Sequence, residues 1–202
     1  MSSEREKYVE VWGKPAYRVK SPAETHMPQL VKIFRPEVGE SLIDWGCGTG
    51  RASYELWKQL GLDVTMVDIA YNALDQKVIE AARGSPRLRF ITHDISKEID
   101  LTADYSLCCD VMEHLPPDQV DATLDNIIRS SKHTLFVIAT FEESVQPDLH
   151  LTVRPYRWWL RKLCNKPIIV EHSAEYKYYK DDELHDHIYN GSHAVFYLCR
   201  DD

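Results

Sequence analysis

The stretch Ser41-Leu42-Ile43-Asp44-Trp45-Gly46-Cys47-Gly48-Thr49-Gly50-Arg51 joins an apolar run to an acid and then to three glycines at alternate positions. A tight glycine turn between a strand and a helix lets the backbone approach a ligand closely, and an acid about 20 residues further on can accept hydrogen bonds from ribose hydroxyls. Asp68, at the end of the next apolar run, stands at that distance from Gly48. Dinucleotide sites require G-x-G-x-x-G. Counting from Gly46 puts Arg51 where the third glycine belongs, so the G-x-G-x-G spacing argues against a pyrophosphate ligand. No G-x-x-x-x-G-K-[ST] run occurs, which sets aside the phosphate-loop nucleotidases.

Outward from this turn, short apolar runs alternate with longer helical patterns, the signature of βαβ units. Ser41–Trp45, Asp63–Asp68, Leu88–Thr92, Tyr105–Cys109 and Thr134–Ala139 are expected strands, and several are near-continuously apolar, as strands covered on both faces are. Two later runs, Pro167–Glu171 and His193–Arg200, bring the sheet to seven strands. Helices are expected over Arg51–Leu60 and Tyr71–Arg83, stopped by Gly61 and Gly84 as C-terminal caps. Pro116-Pro117 opens a third that runs to about Ser131, and Pro155–Cys164 forms another. Ahead of the first strand, Ala23–Phe34 is helical in pattern but interrupted by Pro28. The expected fold is therefore α/β, a doubly wound, mostly parallel seven-stranded sheet over residues 41–202. Residues 1–40 form a helical cover over its mouth.

At 202 residues, with 44% hydrophobic and 10% aromatic content, the chain has the composition of one globular domain with a substantial core. No apolar run of about 20 residues is present to span a bilayer, and the start Met1-Ser2-Ser3-Glu4-Arg5-Glu6-Lys7 has no apolar signal region, so a cytoplasmic protein with no membrane partner is expected. Five cysteines at 47, 108, 109, 164 and 199 form no CxxC pair, which points to reduced, buried thiols, and no metal is expected. A net charge of -8 repels a phosphate backbone and disfavours a nucleic-acid partner. The basic cluster Arg154, Arg157, Arg161, Lys162 and Lys166 reads first as the solvated face of one helix and second as a phosphate-binding surface.

The segment Asp44–Arg51 resembles motif I of the class I S-adenosylmethionine-dependent methyltransferases, and further pieces of that family's pattern follow in order. The resemblance implies a Rossmann-like methyltransferase fold and S-adenosyl-L-methionine as cofactor. It places Gly46, Gly48 and Gly50 beneath the methionine part of the cofactor, with Asp44 helping to hold that region. Asp68 matches the acid that binds the ribose hydroxyls, with Ile69 beside the adenine. His93-Asp94-Ile95 resembles the place where an acid meets the adenine amino group, putting Asp94 and Ile95 in the cofactor site. Asp110-Val111-Met112-Glu113-His114-Leu115-Pro116 resembles the fourth motif in the variant common among small-molecule enzymes, and Asp110 joins the cofactor-binding set. The Asn/Asp-Pro-Pro-Tyr/Phe pattern of adenine and glutamine N-methylation is missing, as is the Pro-Cys pair of cytosine-C5 enzymes.

Methyl transfer from a sulfonium is an in-line displacement that depends chiefly on alignment and exclusion of water. A base within reach of an acceptor hydroxyl would assist. His114 is the first candidate, with a helix-capping or cofactor-lining role equally open, and His150 is the second, where a surface-loop histidine is the plainer reading. The acceptor side is expected to draw on Trp12, Tyr17, Glu113 and Trp158. Aromatics after the fifth strand could shape an apolar pocket or meet a cation, although tryptophans such as Trp158 and Trp159 more often anchor a helix. The expected function is methyl transfer to a small-molecule acceptor, at oxygen. The alternatives are methylation of a protein or nucleic acid across the basic helix, and a non-catalytic module that binds the cofactor.

Overall fold

Alternating aliphatic side chains along each apolar run give two oily faces per strand, and helices cover both. The computed structural model describes residues 4–19, 21–142, 149–178 and 191–200. Its strands are β1 (Ser41–Trp45), β2 (Asp63–Asp68), β3 (Leu88–Thr92), β4 (Ala103–Cys109), β5 (Ser131–Ala139), β6 (Ile168–Tyr178) and β7 (Gly191–Arg200). They form one seven-stranded sheet in the order β3-β2-β1-β4-β5-β7-β6. All neighbouring pairs through β5 are parallel, while β7 runs antiparallel to both β5 and β6. The expected seven strands are present, and the mostly parallel sheet carries one reversed strand.

The helices are α1 (Glu4–Trp12), α2 (Pro15–Arg18), α3 (Pro22–Phe34), α4 (Arg51–Leu60), α5 (Gln76–Gly84), α6 (Val120–Arg129) and α7 (Tyr156–Cys164). One face of the sheet packs Leu42, Val64 and Leu107 against Leu30 and Phe34 of α3, Leu56 of α4 and Val78 of α5. The other packs Ile43, Trp45 and Phe136 against Leu124 and Ile127 of α6 and Trp159 and Leu163 of α7. The adjacent residues Leu42 and Ile43 thus serve opposite layers, as the two-residue period of a strand requires. Trp45 fits because its indole nitrogen donates to Ser106 Oγ at 3.1 Å, which satisfies its only polar atom inside the core.

Five local expectations need correction. The helix expected from Tyr71 begins only at Gln76, because Arg18 binds the carbonyls of Asn72 and Leu74 and holds that stretch as turns. Gly61 caps α4 in the left-handed region at φ 66°, whereas Gly84 is the last helical residue of α5 and the chain leaves it through an extended Ser85. Pro28 sits inside α3 without ending it, and the prolines at 116 and 117 form a turn before α6. All five cysteines are free, but Cys164 is exposed, and only Cys108 and Cys109 are buried. No described helix is long and apolar enough to cross a membrane.

Candidate active site

In an open α/β sheet, ligands bind at the carboxyl ends of the strands where the strand order reverses, because the connecting loops part there. Here the order reverses between β1, whose chain leads on to β2, and β4, whose chain leads on to β5. A pocket lies at that point, about 750 Å³ in all when the open space of its mouth is included. Its floor comes from the ends of β1, β2 and β4, and its outer wall from Glu4, Tyr8, Trp12 and Tyr17 of the N-terminal segment.

Two glycines of the turn cannot carry a side chain. Gly46 lies at φ +74°, and a Cβ there would stand 2.4 Å from Val111 Cγ2; Gly48 lies at φ +53°, and a Cβ there would stand 2.9 Å from the Trp12 ring. Gly46 reaches the pocket wall and Gly48 lies under Trp12. Gly50 faces Leu74, Met66 and Val78 instead and serves the packing of α4 and α5. Asp68 lines the pocket and is almost buried. One carboxylate oxygen accepts from Gly48 N at 3.0 Å and the other from Ala70 N at 2.8 Å, so the acid is fixed to the glycine turn itself. Burial pushes its carboxyl up to about 6 against the pull of those amides.

Asp44 lies below the turn, off the pocket wall and almost buried, where it accepts from Ser53 Oγ at 2.6 Å. Burial raises its carboxyl to about 6, opposed by the Ser53 bond and reinforced by Asp68. Asp94 accepts from Ser96 N and Oγ at 3.0 and 2.7 Å, a turn-forming bond pair that also holds its carboxylate at the wall beside Ile95. Asp110 reaches the wall from the left-handed region at φ 51°, with His193 Nε2 at 3.1 Å from its carboxylate. The wall thus holds Glu4, Asp68, Asp94 and Asp110 and, among the described residues, no lysine or arginine. Such a wall repels a pyrophosphate and suits a ligand with cationic groups and hydroxyls, which is the chemistry of S-adenosylmethionine.

Arg18 holds the N-terminal segment in place. Its guanidinium donates to the carbonyls of Trp12, Asn72 and Leu74 at 3.2, 3.0 and 2.8 Å and pairs with Asp75 at 2.8 Å. Arg51, the residue standing in for a third dinucleotide glycine, donates to Asp75 at 2.5 Å and to the Arg18 carbonyl at 2.8 Å. Burial works to raise the Asp75 carboxyl, yet the bonds from Arg51 and Arg18 hold it below its usual range. Trp12 meets Tyr17 edge to face at 4.8 Å between ring centres, and burial keeps the Tyr8 phenol protonated well beyond its ordinary range.

The fourth motif forms a 3₁₀ turn over Met112–His114 that projects His114 into the pocket wall and turns Glu113 wholly inward. Residues 143–148, part of the stretch expected at the acceptor edge, lie outside the described residues. The chain returns at Leu149, and Thr152 staples it to the turn by donating its amide to Glu113 O at 2.8 Å and its hydroxyl to Leu115 O at 2.6 Å. His150 thereby comes to lie edge-on to His114 at 4.7 Å between ring centres.

Of the residues anticipated from the sequence, Gly46, Asp68, Ile69, Asp94, Ile95, Asp110, His114, Trp12 and Tyr17 meet at the pocket. Asp44, Gly48, Gly50, Glu113 and His150 stand behind its wall. Trp158 is elsewhere, on the outer side of α7 beneath Lys162 and Arg154. Lys162 and Lys166 of that basic cluster pair with Asp121 and Asp125 of α6 at 2.5 and 2.6 Å, which weakens the cluster as a phosphate surface. Sequence reasoning missed Glu4, Tyr8, His93, Val111, Leu115, Pro116 and Gln119 as lining. His93, Val111, Leu115 and Pro116 carried a signal, since they sit inside the motifs quoted above.

A sequence model of the family described as "Methyltransferase domain" matches residues 42–134. No curated protein sequence matches the chain. Among solved structures, the fold is similar to the 1,6-didemethyltoxoflavin N1-methyltransferase of Burkholderia thailandensis, at TM-score 0.73 and 17% identity over 98% of this chain and 88% of that one. It is also similar to the magnesium protoporphyrin IX methyltransferase of Synechocystis, at TM-score 0.66 and 13% identity over 98% and 94%. The [4+2]-cyclase SpnF shares it as well, at TM-score 0.69 and 12% identity over 86% and 80%. Identities this low speak for the fold alone, and the cyclase shows that the fold also carries other chemistry. The family match, however, runs from β1 into β5 across the glycine turn, Asp68, Asp94 and the fourth motif. Residues 42–134 thus match the methyltransferase-domain family, and the chain has the fold of solved methyltransferases that were crystallised with S-adenosylhomocysteine.

Proposed function

We propose that the protein transfers a methyl group from S-adenosylmethionine to an oxygen of a small-molecule acceptor. The observation that carries this reading is the pocket itself: a wall with four carboxylates and, among the described residues, no lysine or arginine beside the glycine turn, with His114 and an aromatic outer wall across from them. When bound, S-adenosylmethionine supplies an electrophilic methyl on a sulfonium. Asp68, fixed by the amides of Gly48 and Ala70, is placed to accept from ribose hydroxyls, and Asp94 from the adenine amino group, beside Ile69 and Ile95. Gly46 leaves room for the methionine part, and Asp110 and Glu4 offer negative charge to its cationic groups.

On the acceptor side, Tyr8, Trp12 and Tyr17 form a largely apolar wall that excludes water and suits a flat molecule. Residues 1–40 are accordingly read as the cover of the site and 41–202 as the methyltransferase domain. His114 stands where the acceptor's hydroxyl proton must go. The solved structures support a small acceptor, since both methyltransferases named above carry small molecules in their names, although one of them acts at N1. The pairing of α7 lysines with α6 acids argues against a nucleic acid or protein surface held by that helix.

The test is incubation with methyl-labelled S-adenosylmethionine and a fractionated metabolite extract. Label is expected in a low-molecular-mass product bearing a methyl ether or ester. Label confined to protein or nucleic acid, or to an amine, would overturn the reading. An absence of transfer despite cofactor binding would favour the non-catalytic module.

A further inference from the structure

At the edge of the pocket, Glu113, His114 and His150 come together, with one ligating atom of each within 4.8 Å of the others. Three features suit this group to an ion. Glu113 is 0% exposed and presents its Oε1 3.9 Å from His114 Nε2, so a buried carboxylate and an imidazole stand close to the spacing of two ligands of one ion. His150 Nδ1 lies 2.8 Å from the Phe141 carbonyl, which can only accept, so Nδ1 carries the proton and the Nε2 lone pair remains for a ligand. A carbonyl that orients a histidine in this way is the usual outer support of a metal-bound imidazole. Finally, the two bonds from Thr152 to Glu113 and Leu115 hold the distant His150 segment against the turn that presents the other two.

We propose that Glu113, His114 and His150 bind one divalent transition-metal ion. Two imidazoles and a carboxylate favour Zn²⁺ and its first-row neighbours over Mg²⁺ or Ca²⁺, and leave positions open for water and an acceptor oxygen. Small rotamer changes bring the three ligands to bonds of about 2.0–2.2 Å. Because His114 is in the pocket wall, the ion faces the acceptor. A hydroxyl bound to it is acidified and loses its proton to water; the oxygen lone pair then forms the bond to the methyl carbon as that carbon's bond to sulfur breaks. His114 then holds the ion instead of taking the proton itself. This use rests on the methyl-transfer reading, while the binding of the ion does not.

The experiment is calorimetry on the 202-residue chain, stripped with chelator and dialysed, titrated with Zn²⁺ and Mg²⁺, together with absorption spectra on adding Co²⁺. One Zn²⁺ per chain is expected at micromolar affinity or tighter, about 10²-fold weaker in His150→Ala, with visible Co²⁺ bands that this variant loses. His150 is only half-buried, so the variant is suited to folding where Glu113→Gln is not. Titration with S-adenosylhomocysteine on the same samples separates the two readings. If it binds while Zn²⁺ does not, or if Zn²⁺ binds His150→Ala as tightly as the parent, or if only Mg²⁺ binds, the metal site is wrong. If it fails to bind the parent chain, the methyl-transfer reading fails instead.

Discussion

Asp44→Asn tests what the buried acids of the glycine turn cost the ligand-free protein. The folded carboxyl holds its proton up to about 6 where the free acid releases it near 3.8. At about 1.36 kcal/mol per unit, this amounts to about 3 kcal/mol. The sign follows from the direction: a raised acid makes no difference while both states are protonated, and costs stability progressively as pH rises through the window from about 4 to about 6. Asn keeps an acceptor for Ser53 Oγ but buries an amide donor, which costs about 1–3 kcal/mol if it goes unpaired. The variant is therefore expected to be about 1 kcal/mol more stable than the parent near neutral pH and less stable than it below about pH 4. Urea unfolding without cofactor across that range reads the crossing. Asp68 contributes a similar slope that persists in the variant, so the stability curve flattens by about half. Parallel curves for parent and variant would show that Asp44 is not raised in the folded protein.

Arg18→Ala removes three bonds to backbone carbonyls and an ion pair that is partly exposed, at about 2 kcal/mol after solvent screening. Hydrogen exchange is expected to rise over residues 4–18 and to stay unchanged over β1 and β4; uniform exchange would show that the segment is held by other contacts. Because Asp75 titrates below its ordinary range, its share of this anchoring persists at neutral pH and is lost only as pH falls through the depressed value. Gly46→Ala places a Cβ 2.4 Å from Val111 at a positive φ, so a loss of about 2–4 kcal/mol is expected in thermal unfolding. Adding Val111→Ala should recover the packing part and leave the backbone strain; full recovery would mean that the strain is negligible.

The sheet was legible because its signals are local: near-continuous apolar runs, glycine stops, and an acid one strand beyond a glycine turn. Asp68 is the clearest case, since its link to Gly48 follows from the spacing of a βαβ unit. Helix starts were less legible. Tyr71–Asp75 has a helical pattern but is held as turns by Arg18, more than 50 residues earlier in the chain, and no local signal carries such a bond. Glu4 and Tyr8 reach the pocket on a segment held by Arg18 and by Asn72 Nδ2, which donates to the Val9 carbonyl at 3.0 Å. His150 met His114 across 36 residues through Thr152, and Trp158 went to the outer face because its neighbour Trp159 took the core position. In each of these cases a tertiary contact decided what periodicity could not.

On the proposed reading, the pocket at the β1–β4 divergence holds S-adenosylmethionine through Asp68 and a wall of carboxylates. Calorimetric titration of the parent chain and of Asp68→Ala with S-adenosylhomocysteine and with NAD tests it most directly. One S-adenosylhomocysteine per chain is expected at micromolar affinity, at least tenfold weaker in Asp68→Ala, with no measurable heat from NAD, as about 1.4 kcal/mol per tenfold implies for a lost charged hydrogen-bond acceptor. Equal affinity in Asp68→Ala, or NAD bound as tightly as S-adenosylhomocysteine, would contradict it.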